Sequence, residues 1–181
     1  MKKIFLLFIL LQLFLLRAGA QIFMTTNGNV QFFSKTPVED ISATNSTVSS
    51  LINTVTDSIL VRMRNTSFVF KNGLMQEHFN ENYMESSKYP LDEFYGKITP
   101  KVDYTKDGTY QVSATGKLEI HGTQKITTIN GSLIIKNGTV NLDADFMVHT
   151  ADFNIEIPKL VFEKIAQDIK VSMSADYKPF K

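Results

Sequence analysis

The stretch Tyr110-Gln-Val-Ser-Ala-Thr-Gly-Lys-Leu-Glu-Ile-His-Gly122 is apolar or glycine at every second position. Tyr110, Val112, Ala114, Gly116, Leu118, Ile120 and Gly122 alternate with Gln111, Ser113, Thr115, Lys117, Glu119 and His121. Successive side chains of a strand point to opposite faces, so the pattern predicts one long strand with a dry face and a wet face. Its span, roughly 43 Å at about 3.3 Å per residue, is about twice that of a common strand. A second run repeats the pattern. Val140, Leu142, Ala144, Phe146 and Val148 alternate with Thr139, Asn141, Asp143 and Asp145, and only Met147 breaks it. Long one-sided strands with small residues on the dry face suit a curled antiparallel sheet or barrel around an apolar interior. That interior is where function is expected.

Strands are expected across most of the remaining chain. Residues 22–26 and 30–33 flank Asn27-Gly28, a strong hairpin signal. Residues 40–49 are polar but β-favouring and read as a solvated or edge strand. In residues 57–64, Ile59, Val61 and Met63 alternate with Leu60, Arg62 and Arg64, and residues 67–70 extend the run. Further candidates are residues 94–99, 126–135 with a turn at Asn130-Gly131, 153–157 and 169–177, with Asn137-Gly138 as another turn. Many short strands joined by turn dipeptides argue for an all-β sandwich or barrel. Two segments look helical. Met75, Phe79 and Tyr83 make one apolar stripe along residues 74–84, ending before Tyr89-Pro90. Residues 160–168 are a shorter, weaker candidate after Pro158. The stripe serves either as core packing or as a lid over a cavity.

Residues 1–20 read as an address. Lys2 and Lys3 precede an apolar run over residues 4–16, and Ala18-Gly19-Ala20 is a small-residue cleavage site, so a secretory signal peptide cut after Ala20 is expected. The run is too short to span a bilayer, which takes about 20 residues. The expected domain is residues 21–181, one unit, exported to the periplasm or secreted. Lys2, Lys3 and Arg17 leave with the leader and no acid does, so the remainder is slightly acidic. That balance excludes the electrostatic footprint of a nucleic-acid binder. With no cysteine, the domain must hold by its core alone.

Several segments resemble the YceI-like family. They are Met75-Gln-Glu-His-Phe-Asn-Glu-Asn-Tyr-Met-Glu-Ser-Ser-Lys-Tyr-Pro90, Leu118-Glu-Ile-His-Gly-Thr-Gln-Lys125, Asp152-Phe-Asn-Ile-Glu-Ile-Pro158 and Ile169-Lys-Val-Ser-Met173. The resemblance extends over roughly residues 55–177. The resemblance implies an exported bacterial protein with an extended, lipocalin-like antiparallel barrel of about eight strands and one or two short helices. It also implies a polyisoprenoid or similar long-chain amphiphile held inside. The candidate ligand-contacting residues are then the dry-face Val112, Ala114, Leu118, Ile120, Val140, Leu142, Ala144, Phe146 and Val148. Met75 and Phe79 of the helix, and Phe153 and Ile155 beyond it, complete the set.

Catalytic and metal chemistry find no footing in the residues. His78, His121 and His149 show no ligand spacing, no cysteine nucleophile exists, and no G-x-S-x-G elbow appears. Asp143 and Asp145 share a face, but alternation puts it in solvent. No catalytic residue, metal or cofactor is expected. Arg62 and Arg64 read as solvent charges. His121-Gly122 reads either as a tight bend whose imidazole caps a neighbouring carbonyl, or as a rim residue meeting a ligand head. Asn45, Asn65, Asn130 and Asn137 begin N-x-S/T sequons. The expected function is non-catalytic binding and carriage of a long apolar molecule. The alternative is a ligand-free structural or protein-interaction module of the cell envelope, its partner unidentified.

Overall fold

The computed structural model describes residues 22–158 and 165–180. The expected leader, residues 1–20, lies outside the described residues, as do positions 160–164 of the second expected helix. Residues 165–167 are not helical.

Nine strands follow in order: β1 (Ile22–Lys35), β2 (Asp40–Asn53), β3 (Ser58–Arg64), β4 (Val69–Phe70), β5 (Leu91–Thr99), β6 (Gly108–Ile120), β7 (Thr123–Lys136), β8 (Thr139–His149) and β9 (Asp168–Pro179). They hydrogen-bond in the order β1-β9-β8-β7-β6-β5-β3-β2, and β1 also pairs with β2. The sheet therefore closes on itself as an antiparallel eight-stranded barrel, with β4 attached to β2 outside the ring. The two runs that set the expectation are β6 and β8. Of their dry-face residues, Val112, Leu118, Val140, Leu142 and Val148 are buried.

Two expected turns are interior to strands. Asn27-Gly28 is a register shift within the continuous β1, and Asn130-Gly131 lies inside β7. The reason at Gly131 is steric. A Cβ there would stand 2.6 Å from the Asp143 carbonyl oxygen of β8, so glycine lets neighbouring backbones approach. Asn137-Gly138 is the tight turn expected, with φ of 51° and 74°. The expected edge strand at residues 40–49 is a wall strand of the ring. β2 pairs with β1 along its length, and with β3 and β4 on its other side. The expected strand at 153–157 is absent. A 3-10 turn at Thr150–Phe153 leads into irregular chain there.

The helix, here α1 (Gly73–His78), is shorter than the stripe suggested and passes into a π turn at Phe79–Tyr83. Asn72 caps it by accepting the Leu74 N–H at 2.9 Å. Strand directions divide the connections between two ends. The lower end carries residues 54–57, 100–107 and 137–138. The upper end carries 36–39, 65–90 with the helix, 121–122 and 150–167.

Candidate functional site

The interior is built by alternation on every wall strand. Inward side chains enclose a cavity of about 60 Å³, and every side chain lining it is apolar. Of the expected contact residues, Val112, Ala114, Leu118, Leu142, Ala144 and Phe146 line it. Sequence reasoning did not select Val30, Phe94, Ile98, Ile129, Leu133, Val171 and Met173, which line it too, as does Met63 of β3. The available signal was the inward parity of β1, β5, β7 and β9, weaker because those runs are interrupted. Ile59 and Val61 also line it, on the β3 side where alternation was read.

The remaining expected contacts sit elsewhere. Val140 is buried, but beyond the lower limit of the cavity with Ile135 and Tyr177, its cross-strand partners. Val148, Phe153 and the half-buried Ile120 and Ile155 belong to the core without lining the cavity. Met75 is half-buried and stands outside the core cluster. Gly116 serves close approach rather than space. A Cβ there would meet the Tyr95 carbonyl oxygen at 2.1 Å, and Gly96 lies directly opposite.

The upper limit is a plug of four phenylalanines. Phe79 of the π turn packs on Phe32, Phe68 and Phe70 with ring centroids 5.4, 5.6 and 5.1 Å away. Ala43 lies opposite both Phe32 and Phe70, and its small side chain leaves room for the rings. The lower limit is a hydroxyl floor. Ser50 Oγ donates to the Leu60 carbonyl at 2.8 Å, so the Tyr177 hydroxyl donates to Ser50 Oγ at 2.7 Å. Burial pushes the Tyr177 and Tyr104 hydroxyls far up from their ordinary pKa. Tyr104 stacks on Phe23 at 5.9 Å, and its hydroxyl finds no partner among the described residues.

Polar groups gather behind the upper wall. Asp92 accepts from Asn65 Nδ2 and from the His121 N–H, each at 3.2 Å, and burial raises its pKa to about 6. His121 does not line the cavity. It takes the bend conformation, φ 51° followed by Gly122 at 68°, and its Nδ1 lies 3.3 Å from the Phe153 carbonyl oxygen. The sequons Asn45 and Asn65 are fully buried and hydrogen-bonded, whereas Asn130 and Asn137 are exposed. Arg62 pairs with Glu93 at 2.5 Å on the outer surface, and Asp143 and Asp145 are exposed.

Among the described residues no group of three or more His, Cys, Asp or Glu could hold a metal ion. Among the described residues no helix is long and apolar enough to cross a membrane. A wider depression of about 330 Å³ lies over Asn141, Asp143, Ser174 and Asp176. It is largely polar and lies on the outward parity of β8 and β9, so the narrow apolar interior is the better candidate site.

The YceI-like domain model matches residues 19–177. No curated protein sequence matches the chain. A polyisoprenoid binding domain from Saccharophagus degradans, implicated in plant cell wall breakdown, is similar in structure. The TM-score is 0.73 at 14% identity, covering 89% of this chain and 99% of that one. Burkholderia cenocepacia BcnA gives 0.70 at 15% identity, covering 83% and 95%. A YceI protein of Campylobacter jejuni gives 0.54 at 15% identity, covering 84% of each. At these identities the likeness concerns the fold.

Proposed function

We propose, from the premise that this chain belongs to the YceI-like family, that it binds and carries a polyisoprenoid or other long-chain apolar amphiphile inside its barrel, without transforming it. The observation that carries this reading is the barrel interior, whose lining side chains are apolar without exception. Burial of apolar surface contributes about 25 cal/mol per Å², so such a wall favours a hydrocarbon chain. It offers that chain no nucleophile, acid or metal ligand. The neighbour from Saccharophagus degradans, a polyisoprenoid binding domain, supports the same class of ligand.

A cavity of about 60 Å³ is well below the roughly 300–1,000 Å³ of common ligand pockets. A long chain therefore enters only as the interior widens. The plug around Phe79 is the part best suited to move, since Phe79 is half-buried and sits in a π turn. Export belongs to the proposal: residues 1–20 act as a leader cut after Ala20, delivering the barrel to the periplasm or beyond. The narrow cavity favours a second reading, a ligand-free structural or interaction module of the cell envelope. Mass spectrometry of an organic extract of the protein from its native compartment separates the two. A prenyl, quinone or fatty-acid species at near-stoichiometric yield supports carriage. A clean extract overturns it in favour of the module. The intact mass from the same preparation reports whether the chain starts at Gln21.

A further inference from the structure

We infer that His121 is a proton-operated clasp on the upper end of the barrel, joining three connections as an imidazolium and releasing one of them when it loses its proton. The ring nitrogens have two partners, and both are acceptors. Nε2 lies 2.9 Å from Glu85 Oε2, and Nδ1 lies 3.3 Å from the Phe153 carbonyl oxygen. A neutral imidazole carries one N–H and satisfies one of these partners; only the doubly protonated ring donates to both. The imidazole is 10% exposed, so water reaches its ring nitrogens poorly.

The elements joined are those that close the upper end. His121 is in the β6–β7 turn, Phe153 is in the β8–β9 connection, and Glu85 ends the lid segment that begins at the Asn72 cap. That segment behaves as one piece after Phe79. The Phe79 carbonyl accepts the Met84 N–H at 2.8 Å, the Asn80 carbonyl accepts the Ser86 N–H at 2.7 Å, and Ser86 Oγ donates to Asn80 Oδ1 at 2.8 Å. Loss of the proton abolishes the ion pair with Glu85 whichever nitrogen keeps its hydrogen, and so loosens the end of the segment that seats Phe79 in the plug.

Each element packed at this end carries charged or titratable groups. The lid segment supplies Glu85, with Lys88 and Tyr89, whose ring stands edge-on at 4.6 Å. β5 supplies the buried Asp92 and β6 supplies Glu119. The Thr150–Phe153 turn brings Asp152, paired with Lys125 and near His149. Glu85 is the acid in contact with the ring, and an ion pair with it requires the imidazolium. The order of events is thus closed in acid and looser in mild alkali. That this opening admits a lipid rests on the carriage reading; the opening itself does not.

Hydrogen exchange on the lipid-free protein tests the clasp at about pH 5 and about pH 8. After correction for intrinsic rates, amides of residues 79–89 should exchange about tenfold faster at the higher pH, the factor that about 1.4 kcal/mol makes. In an Asp92→Asn background, which removes the pH dependence of global stability that Asp92 brings, Ile135 on the lower wall should not change. His121→Gln should exchange fast at both values, and Glu85→Gln, altered at a side chain 45% exposed, should abolish the pH difference while folding normally. Asp92→Asn should keep the difference. Imidazole nitrogen shifts should report two protonated nitrogens at the lower pH. Equal protection at both pH values in the parent, or a tenfold difference that persists in both His121→Gln and Glu85→Gln, overturns the clasp. Lipid extraction is scored separately, so a lipid-free protein with a working clasp and a loaded one without it are distinguishable.

Discussion

The lower and upper ends of the barrel are closed by different physics. Below, short connections and close packing do the work. The Asn53 side chain accepts the Val55 and Thr56 N–H groups at 2.9 and 3.1 Å, Asn137-Gly138 turns in two residues, and Ile52 and Tyr177 are almost wholly buried. Above, residues 65–90 and 150–167 make long connections held by four packed rings and by a polar set around Asp92 and His121. Packing depends little on pH, whereas ionised contacts depend on it strongly. One end is therefore a fixed base, and the other is conditional.

The contrast breaks most visibly if the base is weakened. Ile52→Ala removes a side chain with no exposure and should cost about 2–5 kcal/mol. Urea titration should show the loss at every pH. A loss confined to one pH range would mean that the base, too, depends on charge.

The next largest effect sharpens the upper end. Asp92 rises from 3.8 to about 6 because it is buried. Its neutral form is favoured by folding, so that stabilisation is complete below 3.8 and lost as pH rises through about 6. The difference is on the order of 3 kcal/mol. Asp92→Asn keeps an acceptor for Asn65 Nδ2 and carries no charge. The variant should be flat across this window and more stable than the parent above it, as read from denaturation midpoints. Parallel pH profiles for the two proteins would remove Asp92 from the account.

A smaller effect is expected between the two ends. Ala144 lines the cavity, and a Cβ on Gly131 would lie only 3.0 Å from its own, so the wall there is tight. Ala144→Phe should overfill the space, cost about 1–3 kcal/mol, and weaken lipid retention. Unchanged retention with that loss would argue against the interior as the binding site.

The strands were legible wherever one face is dry for long enough. β6 and β8 announced themselves, and β3 declared its inward Ile59, Val61 and Met63. Asn-Gly pairs were less informative, because the dipeptide does not reveal its own φ. Asn137 has a positive φ and turns the chain, whereas Asn27 and Asn130 are not among the positive-φ residues and stay within strands. The Phe plug was invisible for another reason. Phe32, Phe68, Phe70 and Phe79 meet only because β4 returns to β2 outside the ring. Alternation also placed His121 on a polar face, and its left-handed backbone turns the ring inward against Glu85 and Phe153.

Ring closure also fixes the order in which this protein can be finished. β1 lies between β2 and β9, with Phe23 opposite Pro179 and Met24 opposite Lys178. The earliest strand cannot find its second neighbour until the latest one exists, and loop-closure entropy must be met before that pairing contributes. At about 5–20 residues per second of synthesis, the chain spends many seconds with its ends unjoined and its apolar faces unburied. Anything that holds or moves the unfolded chain must act in that interval, before β9 completes the circle.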